Sequence, residues 1–349
     1  MIESEYKKKG LLLGNGINLL DMSQSYSWGE LLHRLKFIYN INVDLDNVFK
    51  PFPLAFDEMQ HNKIGHNNLT SKLKNLKQTI RREIENQLEG KKGYNEYHVK
   101  MASLDYDAIL TTNYDYSLQL SIQPDFLQLK KKLAINRQER KFSLKRCYKL
   151  PSRNTTFWHI HGELFDSRNH TATSNSYPEE SILIGYEHYA SYLEKIQENI
   201  KGKSGAQKVA NQSLLVRIRN EQPSPFWTDI FFTHNLDIVG LGFDFSENHL
   251  WWLINYRANL IKKQNLRHNV EINNTIRFFH PSIYPGQGES PRLYDKTGLD
   301  QFIKKKNGVL KSKAIAEVLN AFEVKSVPIE CESYDDFYRR LISVYLNDF

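Results

Sequence analysis

Gly10-Leu11-Leu12-Leu13-Gly14-Asn15-Gly16-Ile17-Asn18 is the stretch on which the fold turns. A short apolar run stops at two glycines, and Trp28, Leu31, Leu32 and Leu35 follow at i, i+3, i+4 and i+7. That pattern predicts a buried strand, a glycine turn and an amphipathic helix. The same grammar recurs. Ala108-Ile109-Leu110 stops at Thr111-Thr112-Asn113-Tyr114-Asp115, Thr156 to Ile160 stops at His161-Gly162, and Leu236 to Val239 stops at Gly240-Leu241-Gly242. With Ser181 to Ile184, Thr275 to Phe279 and Val324 to Ile329 there are about seven candidate strands. Strands alternating with helical stretches predict an α/β fold with a Rossmann-like parallel sheet flanked by helices.

Between the first two strands, residues 45–104 read as largely helical after Pro51 and Pro53, with Leu69, Leu73, Leu76 and Ile80 at helical spacing. Tyr186 to about Arg219 reads as one or two further helices, Leu250 to Leu260 as another, and Tyr334 to Leu346 as the last. No internal repeat or long low-complexity linker interrupts the chain. The expected organisation is one domain over 1–349, with helical insertions at about 45–104 and 186–230; its 40% hydrophobic content fills a sizeable core.

Lys and Arg outnumber Asp and Glu by 47 to 40, a net charge of +7 and a pI near 9.0. Such a balance can favour a polyanion, but the basic residues fall in scattered short runs (Lys7 to Lys9, Lys130 to Lys132, Lys304 to Lys306) with no recognition helix, RNP-like strand or zinc finger. A solvated basic surface is the better reading, and nucleic acid enters only indirectly. The two cysteines, Cys147 and Cys331, give neither a disulfide framework nor a zinc ribbon, which points to a reducing cytoplasm. Met1 to Gly10 is polar and charged, and glycines break the apolar run after it, so no signal peptide or membrane span is expected.

Ligands of open α/β sheets bind at the carboxyl ends of the strands, which directs attention to the residues after each apolar run. Gly14 and Gly16, flanking Asn15 and followed by Asn18, let backbone N–H groups approach a pyrophosphate, or they simply make a tight turn. Leu19 stands where a dinucleotide fingerprint has its third glycine. Thr112, Asn113 and Asp115 can orient ribose hydroxyls and water, or cap the next helix. Alternation sets Phe157, His159 and His161 on one strand face and Trp158 with Ile160 on the other. His161, at the strand end, is the candidate general base, and His159 a hydrogen-bonded support behind it. As a metal pair the two histidines lack further ligands at a telling spacing, so no metal is expected. Gly240 and Gly242 are lower-ranked binding candidates; Ser246 and Glu247 read as N-cap and first-turn acid of the helix holding Trp251, Trp252, Leu253 and Ile254.

Taken in order, Gly14-Asn15-Gly16-Ile17-Asn18, Thr112-Asn113-Tyr114-Asp115, His161-Gly162 and Gly240-Leu241-Gly242 resemble the successive NAD-binding and catalytic motifs of sirtuins. The Thr-Thr-Asn-Tyr-Asp run, and Gly-Phe-Asp-Phe-Ser-Glu followed by Leu-Trp-Trp, are closer to the divergent sirtuin-like proteins of bacterial antiviral defence than to protein deacylases. The resemblance implies that Gly14 and Gly16 hold the pyrophosphate, Asn113 orients the nicotinamide ribose and a water, Asp115 supports the Asn loop and His161 is the base; Ser246 joins the binding set. Asn18 stands where sirtuins usually carry Ser. Deacylases of the family also hold a small module on four zinc-binding cysteines, and only two cysteines occur here. The implied activity is hydrolysis of NAD to nicotinamide and ADP-ribose, with NAD as substrate and control by a homo-oligomer or a separate sensor protein. Deacylation, ADP-ribosyl transfer and non-catalytic sensing of NAD or ADP-ribose stand as alternatives.

Overall fold

The computed structural model describes residues 7–20, 28–45, 50–63, 79–80, 83, 93–133, 143–151, 153–163, 182–222, 225–267, 270–282 and 311–346. Seven strands form one sheet: β1 Lys9–Leu13, β2 Ala108–Thr111, β3 Cys147–Lys149, β4 Thr156–His159, β5 Asn235–Val239, β6 Ile276–Ser282 and β7 Val324–Glu330. They lie in the order β3-β4-β2-β1-β5-β6-β7, all parallel except β3 against β4. Without β3, the six parallel strands run 3-2-1-4-5-6 in chain order, the doubly wound arrangement. The chain therefore leaves β1 in one direction for β2 and β4, then returns to the other side for β5. The switch point falls between β1 and β5.

Both faces of the sheet are covered, which is why its strands are continuously apolar rather than alternating. Leu11, Leu13, Ile109 and Phe157 belong to one core. Into it pack Leu31, Leu32 and Leu35 of α1 (Trp28–Tyr39), Phe56 and Met59 of α2 (Phe52–Lys63), Tyr97 and Met101 of α3 (Glu96–Ser103), and Leu118 of α4 (Ser117–Ile122). Leu12, Leu110, Trp158 and Ile238 face the other core. There they meet Tyr192 and Ile196 of the helix Tyr186–Lys201, Leu250, Leu253 and Ile254 of the helix Asn248–Arg267, and Ile315 and Leu319 of a helix over 311–321. The last helix, Tyr334–Arg340, continues as a π-turn over Leu341–Leu346 and returns Phe337 and Tyr338 to the first core.

Two sequence expectations need correction. Ser181 to Ile184 is not a strand of the sheet: Ile182 makes one isolated antiparallel bridge to Gly162, and residues 183–184 are irregular, Ser181 lying outside the described residues. The seventh strand is instead Cys147–Lys149, too short for its periodicity to register. The expected insertions do contain helices, Phe52–Lys63 and Glu96–Ser103 in the first, Tyr186–Lys201 and Leu214–Arg219 in the second. Leu69, Leu73 and Leu76 lie outside the described residues, as do Lys304 to Lys306. Among the described residues no helix is long and apolar enough to cross a membrane.

Candidate active site

At the switch point the backbones of two loops touch. Gly14 N–H donates to Val239 O and Gly16 N–H to Gly240 O, both at 2.9 Å. A Cβ on residue 14 would lie 2.4 Å from Gly240 O, so only glycine fits. Gly240 has φ +64°, and a Cβ there would lie 2.2 Å from the Tyr338 hydroxyl. That hydroxyl is fully buried, sits against both glycine loops and has no hydrogen-bond partner among the described residues. Close backbone approach, rather than turn geometry alone, explains the glycines.

The loop after β1 is anchored by a buried polar chain. Asn18 Nδ2 donates to Asp115 Oδ2 (2.8 Å) and Asn15 Oδ1 (2.9 Å), while Asp115 Oδ1 accepts Ser117 N–H (2.9 Å). Two residues of the first insertion complete it. The Asn95 N–H donates to His98 Nδ1 (3.1 Å), which puts the ring proton on Nε2, donating to Asn18 Oδ1 (2.8 Å). Asn95 Nδ2 donates to the carbonyls of Ile17 (2.9 Å) and Leu20 (2.8 Å). Burial, opposed by the Asp115 charge, lowers the His98 pKa to about 4. Asn95 caps the helix Glu96–Ser103, its side chain accepting His98 N–H, and nothing in the local sequence marks it as the clamp on the glycine loop.

The register Thr111↔His159 sets the residues after β2 beside those after β4. Thr112, buried, donates its N–H to Leu13 O (3.2 Å). Asn113 N–H goes to Thr111 Oγ1 (3.0 Å) and its Nδ2 reaches Gly14 O (3.4 Å), while its Oδ1 is buried with no hydrogen-bond partner among the described residues. Supporting it, His159 Nδ1 donates to Asn113 O (3.3 Å) and its Nε2 accepts from Gln119 Nε2 (2.9 Å). Burial lowers the His159 pKa to about 4.

The strand stops at His159, and a turn over Ile160–His161 sends the second histidine elsewhere, against the expectation of one shared face. His159 packs on Tyr116 and Tyr148; His161 packs on Tyr189 and His249. Its Nε2 is 3.0 Å from His249 Nε2 and 3.3 Å from Glu247 Oε2. Burial and the neighbouring His161 hold the His249 pKa well below the usual range. The helix after β5 begins at Asn248, so Ser246 is not its cap: it lies in the Asp244–Ser246 turn with its N–H on Asp244 Oδ1 (2.9 Å). Glu247, expected as a first-turn acid, instead faces the two histidines. Gly242 is exposed, with nothing within 4 Å of an added Cβ. Neither Gly242 nor Ser246 joins the packed rim.

Behind Gly162, Glu163 is buried and accepts the hydroxyls of Tyr148 (2.6 Å) and Tyr116 (2.9 Å), with Lys130 and Arg146 each at 3.6 Å. Burial raises its pKa, but the two cations, His159 and the Tyr148 bond more than offset this and hold it below the usual carboxylate value. Thus the His161 turn is pinned from behind by a charged, satisfied cluster that sequence spacing did not reveal.

Fold and site together define a doubly wound α/β protein with a polar, carboxyl-end rim at its switch point. No protein-family model and no curated protein matches the chain.

Proposed function

We propose that this chain is a sirtuin-like NAD hydrolase, cleaving the bond between ribose C1′ and the nicotinamide nitrogen. The observation that carries the reading is the buried Oδ1 of Asn113 beside Gly14 at the switch point, which has no hydrogen-bond partner among the described residues. An amide whose nitrogen is tied down and whose oxygen has no donor is set to accept a hydroxyl of a sugar or a water. Doubly wound folds bind dinucleotides at this crevice, and the order of the motifs along the chain resembles that of sirtuins.

In the proposed reaction the C1′–N bond breaks with its electron pair leaving on nicotinamide. The oxocarbenium-like centre is captured by water held at Asn113, and the water's proton passes to His161. Positioning and a base are both required, and each contributes orders of magnitude. Depletion of NAD fits an effector of anti-phage defence in the cytoplasm, held in check by self-assembly or a separate sensor protein. Asn113→Ala and His161→Ala are each expected to lower nicotinamide release by about 100-fold or more. Unchanged release in both variants would sink the assignment; ADP-ribose found on protein would redirect it to transfer, and NAD bound without turnover to sensing.

A further inference from the structure

We propose that His161, Glu247 and His249 form a binding site for one divalent transition-metal ion of zinc chemistry, and that its occupancy silences the base assigned above. Only the silencing rests on the NAD reading. The site departs from the sequence expectation of no metal, because two of its ligands arrive from the start of the helix Asn248–Arg267, far along the chain from β4.

Each of the three residues offers one ligand atom, and these atoms lie within 4.8 Å of one another. The separations of 3.0 Å between the two Nε2 atoms and 3.3 Å from His161 Nε2 to Glu247 Oε2 are close to a coordination edge. Bonds of about 2.0–2.1 Å in a tetrahedron give an edge of about 3.3 Å. Two imidazoles with one carboxylate suit zinc or cobalt, whereas magnesium and calcium take oxygen ligands.

Protons alone leave this cluster unsatisfied. If His161 Nε2–H donates to His249 Nε2, Glu247 Oε2 is a buried carboxylate oxygen with no hydrogen-bond donor among the described residues. If His249 Nε2–H donates instead, Glu247 Oε2 still has no donor among the described residues and faces the lone pair of His161 Nε2 at 3.3 Å. A cation at the centre takes both Nε2 lone pairs and the carboxylate together, which gives Glu247 Oε2 the partner that neither proton arrangement supplies. The rings are held ready for it. His249 is packed by Tyr189 and Tyr192, with centroids at 5.4 and 5.6 Å, and both histidines are buried. Glu247, 15% exposed, marks the open side, where a water can complete the tetrahedron.

An ion bound here uses the His161 lone pair that would accept the proton. The full chain, treated with a chelator and washed, should bind one Co²⁺ per chain with the visible absorption of a tetrahedral centre, and Zn²⁺ should displace it. Affinity should fall by about tenfold or more in Glu247→Gln and in His249→Ala, both with a melting transition recorded to show that they fold. Nicotinamide release by the unsubstituted protein should fall as zinc is added and return on chelation. Absence of ion uptake, or equal affinity in both folded variants, overturns the site whether or not NAD is cleaved. Undiminished release with one zinc bound overturns the silencing. A bound cobalt centre in a protein that never releases nicotinamide supports the site and overturns the NAD reading.

Discussion

Gly14 shows how much a single position can depend on a distant one. Its φ lies in the ordinary extended region, so the requirement for glycine comes from Gly240 O, 2.4 Å from the missing Cβ. Gly14→Ala must therefore separate the ends of β1 and β5, with an expected loss of about 1–3 kcal/mol, whereas Gly242→Ala meets open space and should stay within about 0.5 kcal/mol. Urea unfolding of the two variants checks the contrast; equal losses would refute it. The sequence ranked Gly242 below Gly14 yet offered both as binding candidates, because spacing reports that a loop begins and not what presses on it. Asp115 gives a second test. Asp115→Ala removes the acceptor of Ser117 N–H and of one of the two Asn18 Nδ2 hydrogens, at an expected cost of about 1–3 kcal/mol in the same measurement.

At the scale of elements, the long apolar strands and amphipathic helices were legible, since periodicity depends only on which face is buried. Cys147–Lys149 was not, because three residues carry less than two periods. His161 was placed correctly at a strand end and on the wrong face, because alternation holds only while the strand lasts. The polar partners Asn95, His98, Glu163, Glu247 and His249 come from other elements, so no local pattern announces them. Ion pairs between elements separate by burial in the same way. Arg217 of Leu214–Arg219 holds Asp229 through two bonds of 2.6 and 2.8 Å, both side chains nearly inaccessible. Arg217→Met removes the guanidinium from a buried carboxylate and should cost about 3–5 kcal/mol. Lys311→Ala breaks a half-exposed pair with Asp244 and should cost no more than about 1 kcal/mol. Chemical denaturation of both variants would expose an error in this ranking.

For the whole molecule, the strand order was beyond the sequence, which shows that strands alternate with helices and not where each is inserted. The reversal around β1 is what converts four separate strand ends into one rim. The same burial that builds the rim makes the protein sensitive to acid. His98 and His159 are neutral when folded, their pKa values held to about 4 by burial against 6.5 in the unfolded chain. Between those values the unfolded chain binds more protons, so stability rises with pH and is lost as pH falls from about 6.5 towards 4. The urea midpoint should drop between about pH 7 and pH 5, and less steeply in His159→Gln; a midpoint that is flat over this range would contradict the burial of neutral rings.

Cleavage of NAD by water at this rim, proposed above, can be followed by proton NMR of NAD incubated with the full chain in the presence of a chelator. Nicotinamide and free ADP-ribose should appear in equal amounts as NAD disappears. NAD that persists unchanged, or nicotinamide released without matching free ADP-ribose, would contradict it.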